Sequence, residues 1–432
     1  MSRKRSILVV GAGIAGIRCS LDLAMAGFKV FLVERNPRIG GHVPLLSFVS
    51  PTLEEAQALT KTLIQNVTQH PDVKILSYSE IEDVSGSLGD FTVKIQRKAR
   101  FVDEEKCTCC GECDKACPVI VSKTYEMGIG KRKAIYLPYP YSTPNKYLID
   151  KENCLYFKNR SCRACRDICP EKAVNFEQEA KTEELNVDAI IVATGFKPYD
   201  AERKGQYKYS VYVNVITGME YERLCSPDGP TRGNIVRIDN GEKPKSVVFL
   251  LCIGSREERN NKYCCRVGCV NALKHAYLLK RQYGDTVEAY ICYTDIRAVG
   301  RGAEEFYQTV RASNILLVHG EPSEIRQLRD KTLTLDVYDQ ATSKLLSITA
   351  DMVVLETGLV PQTDLHEKLK IPIDKEKFFK EKHPKLATNE TLMEGIFLAG
   401  SVQQPMNIEE TLAHASAAAL KAMISTSKVV NV

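Results

Sequence analysis

Arg5-Ser6-Ile7-Leu8-Val9-Val10-Gly11-Ala12-Gly13-Ile14-Ala15-Gly16 is the stretch on which the architecture turns. Arg5–Val10 reads as a short buried strand that runs straight into a glycine-rich turn. Ile17, Leu21, Leu23 and Ala24 then describe one face of a helix ending at Gly27, and Lys29–Val33 is a second strand closed by Glu34. This is a βαβ unit with the glycines at its first turn. There they permit the tight turn, the close approach of a pyrophosphate and close helix–strand packing, while the helix N-terminus faces the phosphates. Glu34 lies eighteen residues past Gly16, where a carboxylate can accept hydrogen bonds from ribose hydroxyls. Gly11, Gly13, Ala15, Gly16 and Glu34 are therefore candidate cofactor contacts, and Arg35 beside Glu34 leaves a 2′-phosphate open.

Working outward, Asp188-Ala189-Ile190-Ile191-Val192-Ala193-Thr194-Gly195-Phe196-Lys197-Pro198 is repeated, with Asp, Thr-Gly and Pro at the same offsets, in Asp351–Pro361. Two copies of one strand-and-turn element predict two related dinucleotide-type units. The second contains buried strands at Ser246–Leu251, Glu288–Tyr293 and Ile315–His319, with a helix around Ala272–Gln282. A last strand, Gly395–Ala399, runs into Gly400-Ser401 and a helix over Ile408–Ile424, for which Asn407 and Glu410 have capping-box spacing. Thr194-Gly195 and Gly400-Ser401 resemble the two further FAD contacts of flavoproteins with two dinucleotide-binding domains, Ser401 standing where an Asp is usual. The helix after Ser401 would point its positive end at the flavin. The first turn of the second unit reads Cys252-Ile253-Gly254-Ser255-Arg256, without the glycine fingerprint, so nicotinamide binding is not expected there.

Between about Phe101 and Gln178 the apolar runs stop and cysteine becomes dense, as in a small domain inserted into a larger one. Cys107-x2-Cys110-x2-Cys113-x3-Cys117-Pro118 has the spacing of bacterial ferredoxins, whose fourth cysteine serves the other cluster. Cys154, then Cys162-x2-Cys165-x3-Cys169-Pro170, is its partner. The expected sets are Cys107, Cys110, Cys113 and Cys169 for one [4Fe–4S] cluster, and Cys117, Cys154, Cys162 and Cys165 for the other. Zinc sites use CxxC pairs without the paired x3-Cys-Pro ends. Cys109 is an expected non-ligand. Cys252, Cys264, Cys265 and Cys269 form a third group, readable as a cluster, a redox disulfide or small buried residues; Cys19, Cys225 and Cys292 read as structural.

The bulk properties agree. At 432 residues, two or three domains are expected. Hydrophobic residues make up 44% and charged residues 26%, which excludes disordered and fibrous classes. The net charge of +5 is scattered, which gives no case for nucleic acid. No apolar run reaches the roughly 18 residues of a membrane helix. Met1-Ser2-Arg3-Lys4-Arg5 before Ile7–Val10 imitates a leader, but Gly11, Gly13 and Gly16 cut the apolar run short, and no signal peptide is expected.

Over almost its whole length the chain resembles the A subunits of heterodisulfide reductase and their relatives in archaea and anaerobic bacteria. The likeness rests on Gly11–Gly16 with Glu34-Arg35-Asn36-Pro37 and Ile39-Gly40-Gly41, and on Ala134-Ile135-Tyr136-Leu137-Pro138 and Pro144-Asn145-Lys146-Tyr147. Cys252–Arg256, Tyr293-Thr294-Asp295-Ile296-Arg297, Glu304-Glu305-Phe306-Tyr307 and Ala415-Ser416-Ala417-Ala418-Ala419 add to it. It implies a cytoplasmic flavoprotein that passes electrons between FAD and iron–sulfur clusters within a larger complex, and one that often dimerises. Some members split hydride pairs into a high- and a low-potential electron. Disulfide chemistry in the family sits on a B subunit, reached through a C subunit. Gly41 is carried over as a cofactor contact, and Lys274 matches a family lysine near the flavin ring, its alternative being a solvated helix lysine. The family places a further [4Fe–4S] cluster near the flavin, using two adjacent cysteines. Here the first of that pair is Gly268, the second is Cys269, and Cys265 is gained, so either Cys265 substitutes or the cluster is altered or absent. Longer members carry a C-terminal ferredoxin domain. This chain ends at Val432, which weakens the expectation of full electron bifurcation.

The combined expectation is an α/β protein of two Rossmann-like, thioredoxin-reductase-like domains with an inserted α+β ferredoxin-like domain. The FAD-binding domain comprises residues 1–100, 181–244 and 366–432; the insert 101–180; the cysteine-rich second domain 245–365. The expected cofactors are FAD, two [4Fe–4S] clusters and a candidate third. The expected partners are B- and C-type subunits or an electron-donor protein, with no nucleic acid and no direct membrane span. The rival functions are a stand-alone NAD(P)H-dependent flavin oxidoreductase and a non-catalytic cluster-bearing scaffold.

Overall fold

Ser6–Val10 is buried on both faces, which is why it reads as an unbroken apolar run. It is the centre of a five-stranded sheet ordered Ile396–Leu398, Ala189–Val192, Ser6–Val10, Lys29–Glu34, Val73–Ser77, and every neighbouring pair is parallel. The computed structural model describes residues 4–428; the leader-like Met1-Ser2-Arg3 and the chain's end at Val432 lie outside the described residues. Helix Ile14–Met25 and the C-terminal helix Ile408–Lys428 cover one face, with Ala415, Ala418, Ala419 and Ala422 at full burial allowing close approach. The expected cap is present: Glu410 N donates to Asn407 Oδ1 at 2.8 Å and Asn407 N to Glu410 Oε2 at 3.1 Å.

The second sheet is also five-stranded and parallel, ordered Val215–Thr217, Met352–Thr357, Ser246–Ile253, Glu288–Tyr293, Leu316–His319. Its edge strand corrects the expected boundary at 244/245. Val215–Thr217 and helix Gly218–Cys225 belong to the second unit, but three strand residues are too few to show a period. Each unit also carries a three-stranded antiparallel sheet: Ser79–Ser87, Asp90–Arg97 and Lys181–Val187 in the first, Arg326–Gln327, Leu333–Asp339 and Lys344–Ala350 in the second.

The internal repeat now has a physical meaning. Asp188 sits between the last antiparallel strand and the next parallel one, and its Oδ2 accepts from Ser6 N at 2.6 Å. Asp351 holds the same place in the second unit, and its Oδ2 accepts from Lys245 N at 2.5 Å. Each aspartate thus anchors the start of its unit's central strand. The two Thr-Gly tails then meet, since Phe196–Pro198 pairs antiparallel with Leu359–Pro361 and joins the units.

The cysteine-rich segment leaves at Arg97 and returns at Lys181, which are directly paired on neighbouring strands, so residues 98–180 loop from one end of a hairpin. Its core is the cysteines themselves with Phe101, Tyr147, Tyr156 and Phe176. Arg223 pins it to the body. This fully buried guanidinium bonds Glu126 at 2.8 Å from Nε, Leu45 O at 2.9 Å from Nη1 and Asp228 at 2.7 Å from Nη2, under the Tyr125 ring. Among the described residues, no helix is long and apolar enough to cross a membrane.

Candidate functional site: a dinucleotide cleft and three cysteine quartets

A cleft of about 1130 Å³ runs between the two units, larger than the roughly 300–1,000 Å³ of most ligand pockets. Gly11, Gly13, Ala15, Glu34, Arg35, Gly41, Thr194, Gly195 and Ser401 line it; Gly16 and Gly400 do not. Those two serve packing. A Cβ on Gly16 would lie 1.8 Å from Gly11 O, and one on Gly400 2.9 Å from Ala15 Cβ. Gly11, at φ +100°, passes so close to the Ala193 carbonyl that a Cβ would meet it at 2.4 Å. Gly13 and Gly195 are different: a Cβ at Gly195 would meet nothing within 4 Å, and at Gly13 only Gly41 Cα at 3.9 Å. Their missing side chains leave open space in the cleft wall.

Glu34 is buried at the cleft's edge, its Oε2 accepting from Ala12 N at 2.8 Å and its Oε1 from Asn36 N and Nδ2 at 2.8 and 2.7 Å. A carboxylate has capacity beyond these three bonds. Arg35 is bonded to Gln362 and, at 3.2 Å, to Asp364, so it is partly engaged. Two buried polar atoms in the lining, His42 Nδ1 and Arg132 Nε, have no hydrogen-bond partner among the described residues, and unpartnered buried groups are costly unless a ligand meets them. The open glycines, the ribose-side carboxylate and these orphaned atoms fit a bound dinucleotide such as FAD.

Behind the cleft lies a buried chain of charge. Lys274 has no exposure; its ammonium bonds Glu222 and, at 2.9 Å, Phe48 O, which rules out the solvated helix lysine. His275 Nε2 meets Glu222 Oε1 at 2.7 Å and Nδ1 meets Glu356 Oε1 at 2.6 Å. Glu222, His275 and Glu356 line the cleft; Lys274 stands one layer back. Burial opposes charging His275, but Glu356 and Glu222 outweigh it and raise its pKa to about 8. Burial alone would raise Glu222, yet Lys274 and His275 hold it well below the usual carboxylate range. Sequence reasoning missed His275, Glu222 and Glu356, whose partners lie 52 to 81 residues apart in the chain.

The cysteines gather into three voids. Cys107, Cys110, Cys113 and Cys169 line the first, together with Cys109, whose thiol donates to Asn145 O at 2.7 Å. Cys117, Cys154, Cys162 and Cys165 line the second. Cys252, Cys264, Cys265 and Cys269 line the third, among Arg256, Arg266, Arg297 and Asp295. Among the described residues no three metal-ligating side chains surround a single ion; each quartet faces a void instead. Burial, then neighbouring thiols, pushes Cys113 and Cys165 up to about 12, so a cationic centre is needed to hold them as thiolates. Four thiols about one void are the donor set of a [4Fe–4S] cluster.

The voids sit differently against the cleft. Arg266 and Gly268 line both the third void and the cleft, near the C-terminal helix, to which Arg266 is tied through Glu410. The second void is one strand away: Ile135 lines it and the adjacent Tyr136 lines the cleft. At the third void, Gly268 N donates to Cys265 Sγ at 3.4 Å, and a Cβ at Gly268 would lie 3.0 Å from that sulfur. Cys265 thus fills the space a side chain at 268 would take.

Comparison with known proteins agrees with this geometry. A family model described as an NAD(P)-binding Rossmann-like domain matches residues 9–49. The folds of the thioredoxin reductases of T. acidophilum (TM-score 0.55, 14% identity, 99% of this chain and all of that one) and Lactococcus lactis (0.55, 13%, 98% and all) are similar. In sequence the chain is 41% identical over 423 residues to the A subunit of the H2:CoB-CoM heterodisulfide,ferredoxin reductase of Methanothermobacter thermautotrophicus, covering 96% of this chain and 63% of that relative. It is 41% identical over 435 residues to an iron-sulfur A subunit of the CoB–CoM heterodisulfide reductase of Methanopyrus kandleri, covering 98% and 64%. The chain therefore spans just under two thirds of these curated relatives, and over that span it is similar to heterodisulfide reductase A subunits.

Proposed function

We propose that this chain is a flavin- and iron–sulfur-dependent electron-transfer component of a heterodisulfide-reductase-like complex, with the terminal chemistry on partner subunits of B and C type. The observation that carries the reading is the common wall, Arg266 and Gly268, between the dinucleotide cleft and a four-cysteine void. Bound FAD would exchange an electron pair for single electrons that clusters can relay. In this reading Gly13 and Gly195 admit the cofactor's backbone, Glu34 takes its ribose, and Ser401 its flavin-side chain. Cys107, Cys110, Cys113 and Cys169, and Cys117, Cys154, Cys162 and Cys165, hold two [4Fe–4S] clusters. Cys252, Cys264, Cys265 and Cys269 hold a third, with Cys265 replacing the cysteine absent at Gly268. The Lys274–Glu222–His275–Glu356 chain balances two cations against two carboxylates and holds a proton on His275 at the cleft wall. A cytoplasmic setting goes with this, since thiol-bound clusters need a reducing compartment. Splitting of electron pairs depends on the third quartet as a second exit.

The test is the choice of reductant. Under anaerobic conditions the flavin band should bleach through the clusters with a low-potential one-electron donor and stay oxidised with NADH or NADPH. Stoichiometric bleaching by NADPH alone would instead favour the stand-alone oxidoreductase.

A further inference from the structure

We propose that Arg132, which the cysteine-rich insert contributes to the cleft, is a binding residue for the dinucleotide there, and that through it dinucleotide affinity depends on the filling of the second cysteine quartet; this rests on the reading that the cleft takes FAD and the quartet a cluster. Arg132 lines the cleft, its side chain only 11% exposed. Its Nη2 donates to Asp150 Oδ2 at 2.8 Å and its Nη1 to Lys133 O at 3.0 Å, while the guanidinium lies 3.8 Å over the Tyr136 ring. Nε–H has no hydrogen-bond partner among the described residues. A guanidinium carries its five N–H donors in one plane, so Asp150 and Tyr136 together fix the direction of the unspent one. Tyr136 also lines the cleft, and it stands near Arg100, whose Nη2 donates to Pro37 O at 2.7 Å. Asn36 and Pro37 follow Glu34 and line the cleft too. Arg132 therefore belongs to the end where the ribose-side carboxylate sits, and its spare donor suits an acceptor atom of the dinucleotide's adenosine half.

Asp150 is the link to the second quartet. Its N donates to Ala134 O at 2.7 Å, its O accepts from Cys154 N at 3.0 Å, and its Oδ2 takes Asn153 Nδ2 at 3.0 Å as well as Arg132. Ala134, Ile135 and Ile149 wall the second void, with Ile135 paired to Ile149 across two short strands. Successive residues of a strand face opposite ways: Ile135 meets the void and Tyr136 the cleft. Cysteines form part of the insert's core, so a cluster that fills the quartet contributes folding free energy to the strands around it. Those same strands hold Arg132 and Tyr136 against the cleft. Whatever stabilises this arrangement of the wall raises the affinity of both sites, and such coupling is reciprocal. The first quartet shares no wall of this kind: among the described residues, none that lines its void lines the cleft.

The experiment is anaerobic titration of the deflavinated full chain with FAD, read by quenching of flavin fluorescence, on iron-replete and chelator-depleted protein. Iron-replete wild type should bind FAD at least about ten-fold tighter than the depleted form. Arg132→Gln should keep its iron, bind FAD about ten-fold more weakly than iron-replete wild type, and lose little more when iron is removed. Asp150→Ala, tested iron-replete so that the insert stays folded, should also weaken FAD binding. Cys154→Ser should weaken it more than Cys110→Ser, which disturbs the first quartet. Equal affinity in iron-replete and depleted wild type overturns the coupling. So does an iron-replete Arg132→Gln or Asp150→Ala with wild-type affinity, an undiminished iron effect in Arg132→Gln, or an equal loss in the two cysteine variants. A wild-type chain that takes up no FAD, or no iron at the second quartet, would overturn the cofactor reading instead.

Discussion

The two parallel sheets are built alike and end differently. In the first, Ser6–Val10 runs into Gly11–Gly16, and a helix starts at once at Ile14. In the second, Ser246–Ile253 runs into Cys252-Ile253-Gly254, and helix Gly268–Tyr283 starts only after a loop carrying Cys264 and Cys265. The carboxylate past the second strand differs as well: Glu34 is tied to backbone amides and keeps capacity for a ribose, whereas Asp295 is consumed by Arg256 and Arg297. Gly254, at φ +75°, packs on Tyr199, where a Cβ would meet the ring at 2.3 Å. One helix N-terminus faces an open cradle and the other faces thiols. The same scaffold has kept its dinucleotide turn once and replaced it once with a thiol quartet, at the place where such folds bind ligands.

The largest effect expected is from Gly11→Val. It forces a branched side chain into a left-handed backbone where a Cβ would already lie 2.4 Å from Ala193 O. The variant should lose at least about 3 kcal/mol of stability and all bound flavin, read by denaturant unfolding and flavin absorbance. A flavin-replete variant would break the claim that the turn is a packed cradle. Next, Cys265→Ser should leave flavin in place but remove about four irons per chain; an unchanged iron content would return Cys265 to the structural residues. Glu34→Ala should weaken FAD binding about 10- to 100-fold by titration, the worth of charged hydrogen bonds of about 1.5–3 kcal/mol. The same change at Asp295 should leave FAD affinity alone.

The smallest effect is pH-dependent. Because the folded pKa of His275 is raised to about 8 from 6.5, it contributes stability that is fully present below about pH 6.5 and lost as pH rises through about 8. His275→Gln should therefore cost roughly 2 kcal/mol more at pH 6 than at pH 9, read by unfolding at both values. A pH-independent difference would mean that the network leaves the residue's pKa where it is in the unfolded chain.

Local chemistry made part of this legible in the sequence. The glycine turn, Glu34 and the cysteine spacings are contiguous patterns, and the cysteines of each expected set in the insert line one void. The Asp188/Asp351 repeat pointed to two units without showing why; the reason is a hydrogen bond to a strand start 182 residues upstream in one case and 106 in the other. Val215–Thr217 was too short to read. Leu333–Asp339 alternates buried and less buried residues in the structure, but the charged and polar residues in Lys344–Ala350 blur its partner strand. Arg223 and the Glu222–His275–Glu356 chain had no sequence signal, because an arginine or a glutamate is recognised as buried only once distant segments close over it.

The claim that the second unit exchanged a dinucleotide site for a thiol quartet is tested most directly by an anaerobic count of iron and flavin on the purified chain, with EPR on stepwise reduction. The account predicts about twelve irons and one FAD per chain, as three [4Fe–4S] clusters require, and no bound nicotinamide nucleotide. About eight irons with one FAD, unchanged in Cys265→Ser, would contradict it.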